Sequence, residues 1–272
     1  LYGFYMESIY VYLLAGSVAG LVGGLFGLGG GAVVVPVLIY SFTLNGFDDA
    51  VMTHLAIGTS LATIMVTSLT AIYAHHRKAA VLWPVALSMA PGIATGVVAG
   101  SVFATELSGS MLQILFGAFL ILVAIQMSVG RIPQPHREPP GRLSGAGAGV
   151  GIGVLSGIFG IGGGSLSVPY LTYCNVTITR AIATSAALGF PIALFGALTY
   201  MYRGWGVRGL PEGAIGFVFL PALLGIVLAS MPFARMGALM AHRLPEKPLK
   251  RLFAAVAMIL GLVFVYRNIA AG

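Results

Sequence analysis

Two runs of three glycines stand inside apolar sequence: Gly29, Gly30 and Gly31 in the first half of the chain, Gly162, Gly163 and Gly164 in the second. Glycine has no reactive side chain, but it exposes its backbone. A short helix predicted after each run begins with N–H groups that have no partner in the chain. Those groups carry a partial positive charge, and the missing Cβ lets a ligand approach them closely. The chemistry this offers is anion binding without a buried lysine or arginine. Hydroxyls would complete the shell. Thr59 and Ser60 are answered by Thr184 and Ser185. Ser165 opens the second short helix where Ala32 stands in the first, which makes the two half-sites unequal. A single Ser or Thr in an apolar helix can equally bond its own backbone; the paired occurrence points to a site.

Other chemistries lack their residues. A phosphate-binding glycine loop needs Lys-Ser or Lys-Thr after it, and neither glycine run has one. No histidine is expected at the depth of Ser165, so a serine–histidine hydrolase has no base. The predicted spans carry no interior Asp, Glu, Lys or Arg, the groups on which cation sites and proton relays rest. A metal site is not expected, and no cofactor is implied. His54, His75, His76, His136 and His242 fall at span ends or in loops, where a solvated or interfacial role is the ordinary one. His54 lies close before Thr59 and is a candidate for proton coupling. The lone cysteine, Cys174, excludes an internal disulfide and reads as a packing residue.

The elements that hold these residues come from an internal repeat. Gly20–Pro36 aligns without a gap on Gly153–Pro169: Phe26 on Phe159, glycine run on glycine run, proline on proline. Leu38 and Tyr40 continue onto Leu171 and Tyr173. The Thr-Ser pairs then align at a spacing eight residues shorter, Pro91 answers Pro221, and Phe116 answers Phe253. The halves run 1–136 and 137–272, joined by the polar, proline-rich stretch Arg131 to Arg142. Glycines such as Gly16, Gly20 and Gly24, or Gly149, Gly153 and Gly157, have the spacing of close helix packing.

Of 272 residues 58% are hydrophobic and 8% charged, too few charges to cover a soluble protein. Apolar segments fall near 9–26, 32–45, 55–74, 82–104 and 111–130, then 143–158, 165–175, 181–202, 212–234 and 252–268. Without a basic stretch before it or a cleavage site, the first reads as a span. The second segment of each five is short; 165–175 covers about 16 Å as a helix, against a hydrocarbon core of about 30 Å. Segments one and two of each half are therefore expected to form a hairpin whose glycine tip lies within the membrane. Prolines 36 and 169 shape the short helices, and Pro91 and Pro221 are expected to kink the fourth segments.

The net charge of +7 belongs to topology rather than to nucleic acid. With re-entrant hairpins, Arg77, Lys78, Arg131, Arg137, Arg142, Arg180, Arg235, Arg243, Lys247, Lys250 and Arg251 share one side. Arg203, Arg208 and Arg267 take the other. Letting each hairpin cross once evens the split, and the positive-inside rule favours the uneven one. That puts the linker in the cytoplasm and both termini outside. Each half then crosses an odd number of times, so the repeats are inverted. The fold expected is an all-α polytopic membrane protein of two inverted five-segment repeats in one integral membrane domain.

The motif Gly-Leu-Phe-Gly-Leu-Gly-Gly-Gly with a following Val-Pro, repeated as Gly-Ile-Phe-Gly-Ile-Gly-Gly-Gly with Ser-Val-Pro, resembles the TauE/SafE family of sulfite exporter-like permeases. The later Thr-Ser pair and the basic Arg77-Lys78 loop fit it too. The resemblance covers nearly the whole chain. It implies export of sulfite or a related organosulfur anion across the bacterial inner membrane. An anion channel, or an intramembrane enzyme acting on a lipid or sulfur compound, remains the alternative. The partners expected are the small anion and the bilayer; a homo-oligomer is compatible with both. Alanine at Gly30 or Gly163 is expected to harm transport more than alanine at Gly16 or Gly149.

Overall fold

The computed structural model describes residues 2–26, 30–129, 140–241 and 246–270. Gly29, His136, His242 and most of the Arg131–Arg142 linker lie outside them. Ten helices follow one another: α1 (Tyr2–Phe26), α2 (Gly31–Leu44), α3 (Asp49–Arg77), α4 (Trp83–Glu106), α5 (Gly109–Val129), α6 (Arg142–Phe159), α7 (Gly164–Tyr173), α8 (Ile178–Arg203), α9 (Leu220–Ala241) and α10 (Glu246–Ala270). Four of them, α3, α4, α5 and α8, are long and apolar enough to cross a membrane. Helix α7 has 10 residues and α2 has 14, both short of a bilayer core. Each of the ten expected segments corresponds to one of these helices, but α1, α3 and α10 begin six or seven residues earlier than expected, and α9 is displaced.

The segment expected from 212 begins as a two-stranded antiparallel hairpin, β1 (Ala214–Ile215) and β2 (Val218–Phe219), turned by Gly216 and Phe217. Pro221 consequently sits at the second position of α9, where a missing N–H is harmless. Its counterpart is Pro84 at the second position of α4, at the spacing that also relates Phe116 to Phe253. Pro221 does not kink α9, and Pro91, inside α4, is not its equivalent. The proline inside α9 is Pro232.

The helices pack through glycine. A Cβ on Gly92, Gly96 or Gly100 of α4 would fall within 2.5 Å of the carbonyl oxygen of Ala146, Val150 or Val154 in turn. Gly149, Gly153 and Gly157 of α6 face Met89, Ile93 and Val97 in the same way, so α4 and α6 run parallel in backbone contact. Gly16 and Gly20 of α1 lie on Ile226 and Ser230 of α9, again parallel. In contrast, α3 and α8 run antiparallel: Gly58 meets Tyr200, Leu61 meets Gly196, and Ser68 meets Gly189. Helices α5 and α10 are antiparallel too. Gly117 lies against Gly261, and Gln113 near the start of α5 bonds Asn268 near the end of α10.

Helix α2 folds back beside α1, and α7 packs on α8. Tyr12 of α1 and Phe42 at the far end of α2 both set their rings edge-on to Phe219. The start of α1 and the end of α2 therefore share one end of the molecule. There too the end of α8 is tied to the end of α4, through an Arg203–Glu106 ion pair and Arg203 Nε donating 3.0 Å to Thr105.

Candidate functional site

Local sequence explains the two tips. Helix α6 closes at Gly160 in the left-handed conformation (φ +67°), its N–H and that of Ile161 both donating to Ser156 O. Gly163 is left-handed as well (φ +72°) and caps α7, its carbonyl accepting from the N–H groups of Leu166 and Ser167. In the first half, Gly30 O accepts from Val33 and Val34 in the same register. The N–H groups of Gly31 and Ala32, and of Gly164 and Ser165, precede the first bond inside their helices.

The tips touch. A Cβ on Gly31 would lie 2.5 Å from Gly160 O and 3.0 Å from Ile161 Cα, so the two halves of the chain meet there backbone to backbone. Gly160 in turn lies on Ile57 of α3, and Gly162 O comes within 3.3 Å of a Cβ on Gly189 of α8. The first tip is braced by Ala19 against Gly30, the second by Ile192 against Gly163.

The predicted hydroxyls take unlike positions. Ser60 donates its proton to Gly160 O at 2.8 Å, which binds α3 to the second tip and leaves that proton committed. Thr59 Oγ1 accepts from Phe219 N at 2.9 Å and Thr184 Oγ1 from Leu82 N at 3.0 Å. These two threonines thus cap the entry to α9 and to α4, each reaching across to the other half, and each keeps its own proton. Ser185 and Ser165 have buried Oγ atoms without a partner. Ser185 shares a face of α8 with Gly189 and Ile192, the two residues that touch the second tip.

Two further hydroxyls belong here. Ser156 and Ser167 are fully buried and unpartnered. Their Oγ atoms lie 3.8 and 3.3 Å from the place a Cβ on Gly163 would take. The sequence carried a signal for them: they stand in the second motif where the first has Gly23 and Val34.

His54 departs from its interfacial expectation. It is only 5% exposed, with Nε2 placed 3.1 Å from Leu107 O and 3.3 Å from Ala104 O, and its ring against Phe217. It thereby serves the carbonyls that end α4. Beside it, Gln113 donates to Thr53 and accepts from Asn268. His54 stands one helical turn before Ile57, on which Gly160 of the second tip lies. Among the described residues, buried polar side chains are hydroxyls, Gln113 and His54, and no group of His, Cys, Asp or Glu could hold a metal ion. What the tips can do is donate hydrogen bonds to an anion from neutral groups.

A probable membrane transporter protein of Haemophilus influenzae is 32% identical over 93% of this chain and 97% of its own. Probable membrane transporter proteins of Methanocaldococcus jannaschii and Bacillus subtilis are 28% and 27% identical, covering 92% and 96% of the chain and 92% and 99% of theirs. No solved structure matches the chain. The family described as sulfite exporter TauE/SafE matches residues 12–264. From its glycine motifs to its last helix, the chain belongs to the TauE/SafE family of membrane transporters.

Proposed function

We propose that the protein is a secondary transporter that exports a small anion, sulfite or a related organosulfur anion, across the bacterial inner membrane by alternating access. The observation that carries this reading is the meeting of the two glycine tips, Gly31 against Gly160 and Ile161. Two short helices then point N-termini toward one region from opposite halves of the chain, as in transporters built on broken helices. Uncharged donors suit a small anion, which an inside-negative potential drives outward.

Inverted repeats account for the packing. Third helices of the two halves, α3 and α8, run antiparallel, as do fifth helices α5 and α10. The first helix of each half lies parallel to the fourth of the other. Alternating access would part the tips along α3 and α8.

The test is sulfite efflux from proteoliposomes holding the purified protein, with and without an imposed pH gradient. Saturable efflux that responds to the gradient is expected. Efflux no faster than from protein-free vesicles would overturn sulfite as substrate and turn the search to sulfonates.

A further inference from the structure

The two tips share the register of their first helix bonds but differ at the cap, Gly30 right-handed (φ −43°) and Gly163 left-handed (φ +72°), and in what surrounds them. Around the second, Ser156 and Ser167 at 0% exposure hold hydroxyls with no partner, and Ser165 Oγ is buried and unpartnered as well. Burying a hydroxyl without a hydrogen bond destabilises a protein. Three such groups about one helix start are a set of donors kept for something else. At the first tip Gly23, Ala32 and Val34 stand where Ser156, Ser165 and Ser167 stand, so the described residues there supply none of these hydroxyls.

We infer that the binding site is one-sided: a single monovalent oxyanion is held at the start of α7 by the hydroxyls of Ser156, Ser165 and Ser167, which the first half does not supply. The inference rests on the anion-transport reading and names the ionic form it takes. The cost of bringing an ion out of water grows with the square of its charge. The donors here are dipoles, and no lysine or arginine is among the buried side chains described. Such a site suits one negative charge. A hydroxyl can also accept, so it can meet the proton of a hydrogensulfite as well as the oxygens of a sulfonate.

The test uses the full chain in detergent and reads stabilisation against heat by methanesulfonate, a permanent monoanion, and by sulfate, a dianion. Methanesulfonate should stabilise the protein and sulfate should not. S156A and S167A should each raise the apparent Kd for methanesulfonate about tenfold or more. T95A, whose hydroxyl bonds only its own helix, should leave it within about twofold. A second reading separates binding from structure. Without ligand, S156A and S167A should melt no lower than the parent, because they remove an unpaired buried hydroxyl. S60A, which loses a bond, should melt lower. Equal weakening by T95A and S167A, sulfate as effective as methanesulfonate, or no stabilisation by methanesulfonate would each overturn the one-sided site. Counterflow in vesicles keeps the two proposals apart. Methanesulfonate binding without any counterflow overturns the transport reading alone, and sulfite counterflow whose KM is unchanged in S167A overturns the site alone.

Discussion

At the scale of single residues, the glycines divide by what their missing Cβ would meet. Gly31 faces the backbone carbonyl of Gly160, which cannot step aside. Gly31→Ala should therefore lower stability by about 1–3 kcal/mol, as overpacking does, and abolish anion flux with it. Gly151, on the open face of α6 with nothing within 4 Å, is the proper control. Gly151→Ala should leave flux intact and stabilise the helix by up to about 1 kcal/mol. Thermal unfolding and vesicle flux read both, and equal losses from the two variants would refute the special place of Gly31. Gly16 and Gly149 cannot serve as mild controls, because each would press a Cβ to 2.4 Å from a carbonyl oxygen of a neighbouring helix. Sequence spacing separates packing glycines from tip glycines, but it does not say that both kinds touch backbone. Serines hide for a similar reason. Ser17 and Ser88 bond their own helices, Ser156 and Ser167 bond nothing, and composition is the same for all four. Only the comparison of the two motif copies sets Ser156 and Ser167 apart.

At the scale of elements, the short helices could be read directly, since a glycine run is a clear break in an apolar stretch. The β1–β2 hairpin could not. Ala214–Phe219 is as apolar as the helix it precedes, and its turn glycine, Gly216, looks like one more packing glycine. The hairpin is what displaces α9 and hides the kinship of Pro84 and Pro221. Its last residue is pinned by Thr59, just as the start of α4 is pinned by Thr184. Thr→Val keeps the shape of the side chain and removes the acceptor. Thr59→Val leaves the Phe219 N–H buried and unpaired, and Thr184→Val leaves the half-buried Leu82 N–H unpaired. Each should cost about 1–3 kcal/mol. Thr→Ser at either place should cost less, because it retains the oxygen. Melting curves in detergent check this; a valine variant as stable as the parent would mean that the threonine does not hold the helix entry.

At the scale of the molecule, charge and geometry lead to one topology. Thr184 reaching Leu82 sets the start of α8 beside the start of α4. Lys78 and Arg180, which precede those contacts by a few residues, then share an end with the start of α6. Arg208 follows α8, whose end is tied to the end of α4 by Arg203 and Glu106, and so lies at the opposite end. A hairpin that returned to its own side would give this arrangement, with Lys78 and Arg180 cytoplasmic by the positive-inside rule. A hairpin that crossed once would instead put Lys78 with Arg208 and set Arg180 apart. The lone cysteine is buried at 2% exposure and can be removed as C174A. In that background K78C, R180C and R208C each offer one thiol at an exposed position. A membrane-impermeant maleimide added to intact cells should label R208C alone, and all three after permeabilisation. Labelling of R180C without R208C would reverse the hairpin, bring the six arginines and lysines of the less basic count onto one face, and dissolve the symmetry on which the inverted-repeat reading depends.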